Sequence, residues 1–194
     1  RMGIQGVCCV THRGAVSADA KTGDGAGILT QIPRSMFARV LARMGHPKAN
    51  VQDLAVGVFF LHQDPSQRMA AKGIVDRIVR EKGLVSYGWR EVPVNPDVLG
   101  EKALSTMPAI QHLLVSRPAR IQPADFERHL YYIRRLIERA FAQARLENAY
   151  IPSFSSRTIV YKGLFVAPQL AGFYEDLTDP AFETAIALFH QRYS

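Results

Sequence analysis

The segment HRGAVSADAKTGDGAGILTQIP (His12–Pro33) is the most informative stretch of the chain for its fold. Gly23, Gly25 and Gly27 alternate within it, which disfavours a helix or an ordinary strand, because each glycine can adopt a positive φ or allow another backbone to approach closely. A dinucleotide-binding loop is disfavoured because Ile28 stands where the third glycine of G-x-G-x-x-G belongs. A P-loop is disfavoured because the stretch contains neither Gly-Lys-Ser nor Gly-Lys-Thr. The glycines therefore predict a tight turn packed beside a functional centre.

The composition is that of a globular protein. The 194 residues carry 24 Lys plus Arg against 17 Asp plus Glu, a formal net charge of +7, and 47% of them are hydrophobic. Such a chain can bury a sizeable core, either as one domain or as part of a larger one. No run approaches the ~18 consecutive apolar residues of a membrane span. The only two cysteines, Cys8 and Cys9, are too few for a disulfide framework. We expect a reducing, cytoplasmic location and no membrane partner.

The positive charge raises the question of a nucleic-acid partner. Seven arginines lie from Arg117 to Arg145, and all but Arg117 and Arg120 fall on one predicted helix. Acidic residues are interleaved with them at Asp125, Glu127, Glu138 and Glu147. Alternating signs along a helix are typical of a solvated face with i,i+4 pairs, and no stacking-aromatic or groove-reading motif accompanies them. We therefore predict no nucleic-acid partner.

Hydrophobic periodicity predicts alternating helices and strands, and hence an α/β or α+β layer structure. Helices are predicted over Ser35–Met44, from Asp64 to about Glu81, from Pro123 to near Arg145, and from Asp179 towards His190. Strands are predicted over Ala55–Leu61, Leu84–Val94, His112–Ser116 and Thr158–Tyr161.

The residues themselves favour neither a metal centre nor a cysteine nucleophile. The six histidines are dispersed, without an i,i+4 pair or a Cys-x-x-Cys. A site of His12, Asp19 and Asp24 can be drawn, but nothing in the spacing demands it, so we predict no metal. Both cysteines lie in the apolar stretch 4–10, which predicts the end of a buried helix or strand. Burial favours a structural cysteine over a reactive one.

Four stretches carry a resemblance to a known family. They are His12–Pro33, GWREVPVNPDVLG (Gly88–Gly100), FSSRTIVYKGLFVAPQL (Phe154–Leu170) and FYEDLTDPAF…FHQRYS (Phe173–Ser194). In this order they resemble the glutaminase domain of glutamate synthase large chains, over essentially the whole sequence. The resemblance implies a partial class II glutamine amidotransferase domain over 1–194. Its fold would be α+β, an incomplete four-layer αββα sandwich of the N-terminal-nucleophile hydrolase type.

The resemblance also implies a mechanism. In this family an N-terminal cysteine attacks the glutamine side-chain amide, its own α-amino group (pKa ~7.7–8.0) acts as general base, and backbone and Asn donors stabilise the oxyanion. The whole enzyme would pass the ammonia to a second site with FMN and an iron–sulfur cluster, where 2-oxoglutarate becomes glutamate. No cofactor is implied for this domain itself. The implied partners are L-glutamine, the remaining synthase domains, and either a small reductase subunit or ferredoxin.

Only one binding residue can be carried over from the family. Arg192 matches the arginine of its Arg-(Tyr/Phe)-Ser-Thr motif, which binds the α-carboxylate of glutamine, a task that suits the planar guanidinium. Other motif positions are implied to build the surroundings of the nucleophile without taking a chemical step. These are His12, Arg13, Gly14, Gly23, Asp24, Gly25 and Gly27.

Both ends of the sequence are expected to be cuts in a longer protein. Arg1-Met2-Gly3 resembles neither a start nor a signal peptide, and the motif threonine would follow Ser194 directly. The family's nucleophile precedes the HRG motif at a longer spacing than Cys8 and Cys9 offer. We therefore expect no catalytic residue in this chain and no activity from it alone. The alternative is a non-catalytic binding or regulatory module of the same fold.

Overall fold

The computed structural model describes residues 2–9 and 23–191, and the chain divides into two compact units. The first unit comprises Arg1–Pro33, Val92–Met107 and Val160–Ser194, and the second comprises Arg34–Glu91 and Pro108–Ile159. Each unit combines helices with a sheet.

The described residues form six α-helices and seven strands. The helices are α1 Met2–Cys9, α2 Arg34–Arg43, α3 Pro65–Glu81, α4 Glu101–Ser105, α5 Pro123–Gln143 and α6 Gln169–Phe173. The strands are β1 Ala26–Gln31, β2 Leu54–Leu61, β3 Val85–Glu91, β4 Ala109–Ser116, β5 Tyr150–Ser155, β6 Thr158–Gly163 and β7 Ala187–Gln191. Short 3-10 turns lie at Val51–Asp53, Pro96–Val98 and Glu175–Thr178.

The second unit is built on an antiparallel sheet with strand order β3-β4-β2-β5. Alternate residues of the central strands, such as Phe59 and Leu113, point into a core that they share with α3 and α5. The amphipathic stripe of α5 recurs every three or four residues, as a helix packed on a core requires; its buried members are Phe126, Leu130, Ile133, Ile137 and Phe141. Phe37 of α2 lies on the opposite face of the sheet, with its ring centroid 5.8 Å from that of His112.

The first unit is built on a three-stranded sheet with strand order β6-β1-β7. β1 and β7 are antiparallel, with a register that runs from Ala26 opposite Gln191 to Thr30 opposite Ala187. Helix α1 packs closely on this pair because it presents glycines to it. A Cβ placed on Gly6 would lie 2.7 Å from Cε1 of Phe189.

The helices α2, α3 and α5 confirm the predicted ones, and β2, β3, β4 and β6 lie on the predicted strands. The predicted helix from Asp179 towards His190 is wrong. That segment follows the 3-10 turn and becomes β7, because Ala187–Gln191 finds backbone partners on β1. Thr184 helps to hold the segment extended, since its Oγ1 accepts the backbone N–H of Gln31 at 3.1 Å. Cross-strand pairing therefore overrides a local pattern too short to specify a helix.

Part of the glycine stretch forms a strand, whereas only a tight turn was predicted. Gly27 lies inside β1, the central strand of its sheet, which contradicts the expectation that these glycines exclude a strand. It fits there because a Cβ at this position would lie 2.9 Å from the Cβ of Lys162 and 2.5 Å from Nε2 of His190. Gly25, with a φ of 118°, forms the bend before the strand, as a turn glycine does.

No helix in the described ranges 2–9 and 23–191 combines the length and the apolar character needed to span a bilayer.

Candidate functional site

The glycine segment that enters β1 lies directly on another backbone segment of the first unit. A Cβ placed on Gly23 would lie 2.8 Å from both the carbonyl carbon and the carbonyl oxygen of Phe165. Real Cβ atoms do not approach backbone this closely, so position 23 accommodates only glycine without a shift of one of the two segments. The segment Phe165–Ala167 and the start of β1 are therefore packed backbone to backbone.

The segment Phe165–Ala167 is fixed by side-chain amides. The backbone N–H of Val166 donates to Oε1 of Gln169 at 2.8 Å, and Nε2 of the same glutamine donates to the carbonyl oxygen of Val98. The backbone N–H of Ala167 donates to Oε1 of Gln191 at 2.9 Å. This last bond ties the segment to the end of β7.

A cluster of aromatic side chains packs around the segment Phe165–Ala167. Phe165 is buried, with its ring centroid 5.3 Å from Phe173, and the ring of Tyr174 lies 4.8 Å from Phe173 in an edge-to-face arrangement. The hydroxyl of Tyr174 donates to the carbonyl oxygen of Lys162 at 2.7 Å. Burial raises the pKa of Tyr174 far above its ordinary value, so it remains a neutral hydrogen-bond donor.

A buried acidic residue, Asp176, also contacts this aromatic cluster. Asp176 is only 4% exposed, and its Oδ2 accepts the hydroxyl of Tyr161 at 3.0 Å. This bond joins β6 to the 3-10 turn at Glu175–Thr178. Because Asp176 is held inside the aromatic cluster, we assign it a structural role.

The side-chain amide of Gln191 is the most unusual polar group of this region. The residue is 7% exposed, and its Nε2 atom is buried without a hydrogen-bond partner among the described residues. Its Oε1 atom is engaged with Ala167, so the two ends of one amide differ in their environments. A buried polar group without a partner calls for an explanation, because such groups are normally hydrogen-bonded.

A second polar cluster, in the second unit, has a structural role. Glu127 on α5 accepts hydrogen bonds from the hydroxyl of Ser155 at 3.0 Å and from the backbone N–H of Ser156. Arg34 donates to the carbonyl oxygens of Leu54 and Ser156. Burial lowers the pKa of Arg34 from its ordinary value. These contacts join α2, β2, α5 and the turn after β5. The Phe-Ser-Ser-Arg stretch (residues 154–157) therefore helps to hold the elements of the second unit together.

The histidines of the described region are dispersed. His112 is fully buried, with Nδ1 3.2 Å from Nη1 of Arg90. Nε2 of His46 lies 3.2 Å from the carbonyl oxygen of Tyr87, and Nδ1 of His62 accepts the backbone N–H of Asp64 at 2.9 Å. Within residues 2–9 and 23–191, no three His, Cys, Asp or Glu side chains form a group that could hold a metal ion. The arrangement offers no observation in favour of a metal centre.

The two cysteines lie at the end of α1. Helix α1 confirms the predicted apolar element, and Val7 is buried within it. Cys8 is half-buried, whereas Cys9 is exposed, so the expected burial is wrong for Cys9. The face of the helix that carries Gly3 and Gly6 packs on β7.

The structure brings together part of the predicted site. Gly23, Gly25 and Gly27 lie at the start of β1, with the half-buried Asp24 between the first two. His12, Arg13, Gly14 and Arg192 lie outside the described residues. The contributions of Phe165 and Gln191 were not predicted, although both lie in quoted motif stretches. They act through contacts between residues distant in sequence, and no local pattern signals such contacts.

Comparison with known proteins identifies relatives along the whole chain. A family model described as class-II glutamine amidotransferases matches residues 1–194. The chain is 44% identical over 193 residues to the glutamate synthase (NADPH) large chain of Azospirillum brasilense, covering 99% of this chain and 13% of the relative. It is 41% identical over 191 residues to ferredoxin-dependent glutamate synthase 2 of Synechocystis, covering 98% and 12%. It is 39% identical over 187 residues to a chloroplastic ferredoxin-dependent glutamate synthase of Oryza sativa, covering 96% and 12%. The chain thus spans 12% to 13% of the length of these relatives.

Proposed function

The chain belongs to the class-II glutamine amidotransferases, and we propose that it is part of the glutamine-hydrolysing domain of a glutamate synthase. The observation that carries this proposal is the 44% identity to a glutamate synthase large chain over 99% of the chain. In this role the domain releases ammonia from the side chain of L-glutamine. The protein that contains it uses the ammonia to make glutamate from 2-oxoglutarate. Membership of the family confirms the predicted N-terminal-nucleophile hydrolase fold class.

Neither cysteine of this chain suits the role of the nucleophile. Both lie at the end of a helix whose glycines pack on β7, and they precede the His12-Arg13-Gly14 motif too closely for the family's spacing. We propose that the 194-residue polypeptide by itself does not hydrolyse glutamine. The attacking cysteine would then belong to the longer protein.

The residues before the start of β1 and after the end of β7 contribute to substrate binding. Arg192 directly follows the last residue of β7, and its motif assigns it to the α-carboxylate of glutamine. A guanidinium can donate two parallel hydrogen bonds to a carboxylate. The glycine bend and the segment Phe165–Ala167 hold this end of the sheet rigid, which favours a preorganised site. His12, Arg13 and Gly14 would complete the surroundings of the nucleophile.

The redox cofactors lie elsewhere in the proposed enzyme. An iron–sulfur cluster is normally held by four cysteine thiolates, whereas this chain has two cysteines. Its residues therefore do not fit the cluster, and we assign the cluster and the FMN, which would reduce the imine formed from ammonia and 2-oxoglutarate, to other domains. We propose either a small reductase subunit or ferredoxin as the electron donor, because the relatives include both NADPH and ferredoxin-dependent enzymes. We propose a cytoplasmic location, although the rice relative is named as chloroplastic.

The decisive experiment measures glutamine hydrolysis by the intact protein that carries this chain. We expect glutamate and ammonia in equal amounts from L-glutamine, and synthesis of glutamate with either glutamine or added ammonia as nitrogen source. Arg192→Lys keeps the charge but loses the fork-shaped donor pair, so the KM for glutamine should rise at least about tenfold, or ~1.4 kcal/mol. Synthesis from added ammonia should not change, because ammonia bypasses the glutamine site.

The matched control is Arg139→Lys, since Arg139 is an exposed arginine of α5 in the other unit. It should leave the KM for glutamine unchanged. Absence of glutamine hydrolysis by the intact protein would contradict the proposal and favour a non-catalytic binding or regulatory module of the same fold.

A further inference from the structure

Gln191 occupies a defined place at one end of the three-stranded sheet. It is the last residue of β7 and pairs with Ala26, the first residue of β1, in the last register pair of the two strands. The glycine bend of Gly23 and Gly25 immediately precedes this pair along the chain. The Gln191 side chain thus lies at the same end of the sheet as the predicted glycine motif.

The orientation of the Gln191 amide is fixed by one hydrogen bond. Its Oε1 atom accepts the backbone N–H of Ala167 at 2.9 Å, so the Nε2 atom must occupy the other side of the planar amide. That nitrogen is buried and has no acceptor within the described parts of the chain. A buried donor without an acceptor is unfavourable, because it has lost its hydrogen bonds to water and gained none in return. The fold therefore maintains an unfavourable group at this place.

Other glutamines of the same unit do not share this feature. Gln169 uses both ends of its amide, through Val166 and Val98. Gln31, at the opposite end of the β1–β7 pair, accepts the backbone N–H of Ala185 at 3.0 Å, but its side chain is exposed and its nitrogen can bind water. Only an acceptor from outside the described chain would satisfy Gln191 in the way that these two are satisfied.

We propose that Nε2 of Gln191 donates a hydrogen bond to an oxygen of the bound L-glutamine, which makes Gln191 a substrate-positioning residue. The inference rests on the proposed function, because the sequence neighbour Arg192 is assigned to the same substrate. Glutamine offers two kinds of acceptor, the α-carboxylate and the side-chain carbonyl oxygen. A bond to the carboxylate persists unchanged through the reaction and affects KM alone, whereas a bond to the carbonyl strengthens as the oxyanion forms and affects kcat.

The test uses steady-state glutamine hydrolysis by the intact protein and two variants. Gln191→Glu keeps an acceptor oxygen for the N–H of Ala167 but replaces the donor by a second acceptor. Gln191→Met has a similar shape and offers no donor. We expect both to lower kcat/KM for glutamine at least tenfold, while glutamate synthesis from added ammonia stays at the level of the parent protein. Because synthesis from ammonia takes place in other domains, limited proteolysis of each variant beside the parent checks separately that this domain is folded.

The matched control is Gln31→Glu, which makes the same chemical change at a glutamine that also accepts a backbone N–H but has an exposed nitrogen. It should leave both KM and kcat unchanged. A loss in KM alone at position 191 assigns the bond to the α-carboxylate, and a loss in kcat assigns it to the side-chain carbonyl.

Two failures can be told apart. Hydrolysis by the parent with unchanged kcat/KM in both Gln191 variants would overturn this inference alone and leave a structural role for the amide. Absence of hydrolysis by the parent would overturn the proposed function, and this inference with it.

Discussion

At the scale of single residues, glycine is required where a neighbouring backbone segment occupies the space that a Cβ atom would need. Gly23 is such a position, because its Cβ would lie 2.8 Å from the carbonyl group of Phe165. Gly23→Ala forces one of the two backbone segments to move, and we expect the free energy of unfolding to fall by about 1–3 kcal/mol. Urea titration followed by circular dichroism measures the change.

Gly73 provides the control for this prediction. It lies in the interior of α3, it is exposed, and a Cβ on it would have no neighbour within 4 Å. Gly73→Ala should therefore raise the free energy of unfolding by about 0.5–1 kcal/mol, the gain expected from alanine in a helix. A neutral Gly23→Ala, or a destabilised Gly73→Ala, would contradict the close backbone packing that we describe.

At the scale of secondary-structure elements, the start of α3 depends on a titrating cap. Oδ1 of Asp64 accepts the backbone N–H groups of Ser66 and Gln67 at 3.0 Å each. Its hydrogen bond with the Ser66 hydroxyl lowers the pKa of Asp64 from the ordinary value. A lowered pKa in the folded state means that the stabilisation is present above the ordinary pKa and is lost as the pH falls through the folded-state value.

Asp64→Asn keeps an acceptor oxygen but cannot titrate. We expect the difference in unfolding free energy between the parent and this variant to be constant near neutral pH and to shrink below about pH 4, the ordinary range of an aspartate. Urea titrations at a series of pH values measure it, with Asp64→Ala as the variant that lacks the cap at every pH. A difference that stays constant down to pH 3 would show that the charge of Asp64 plays no part.

The same helix shows why some elements could be predicted from the sequence. The signals for α3 are local, since Asp64-Pro65 marks its start and an apolar stripe marks its length. The signals for β7 are not local, because its five residues become a strand only through pairing with β1, far away in sequence. β5 was missed because Pro152 interrupts its pattern, and its position at the edge of the sheet tolerates that proline.

The candidate site divides in the same way. The glycine alternation pointed to the bend at Gly23 and Gly25, since a glycine pattern is visible in sequence. The carbonyl group of Phe165 and the amide of Gln191 could not be predicted. Their roles arise from the contacts of Phe165 with Gly23 and of Ala167 with Gln191, which only the folded chain creates.

At the scale of the whole molecule, the positive charge is partly compensated. Arg134 and Arg135 both pair with Glu138, and Arg128 pairs with Asp125. The exposed Arg128–Asp125 pair contributes little to stability, and Glu138 of the other two pairs is half-buried. All three pairs support the prediction of a solvated helix face over a nucleic-acid footprint. An apolar surface, the exposed edge of β7, is expected to have the larger effect on the behaviour of the polypeptide.

The exposed edge of the three-stranded sheet favours association of the 194-residue polypeptide. Among the described strands β7 has a partner on one side only, and its Leu188 and Phe189 side chains are 64% and 39% exposed. Unpaired strand edges with apolar side chains template pairing with another chain. We expect this polypeptide to self-associate, and Leu188→Lys to weaken the association at least about tenfold. Sedimentation velocity over a concentration series measures it. Met69→Lys is the control, because Met69 is 71% exposed and lies on helix α3 of the other unit. A parent polypeptide that stays monomeric at every concentration, or an equal effect of the two lysine variants, would rule out the β7 edge as the cause.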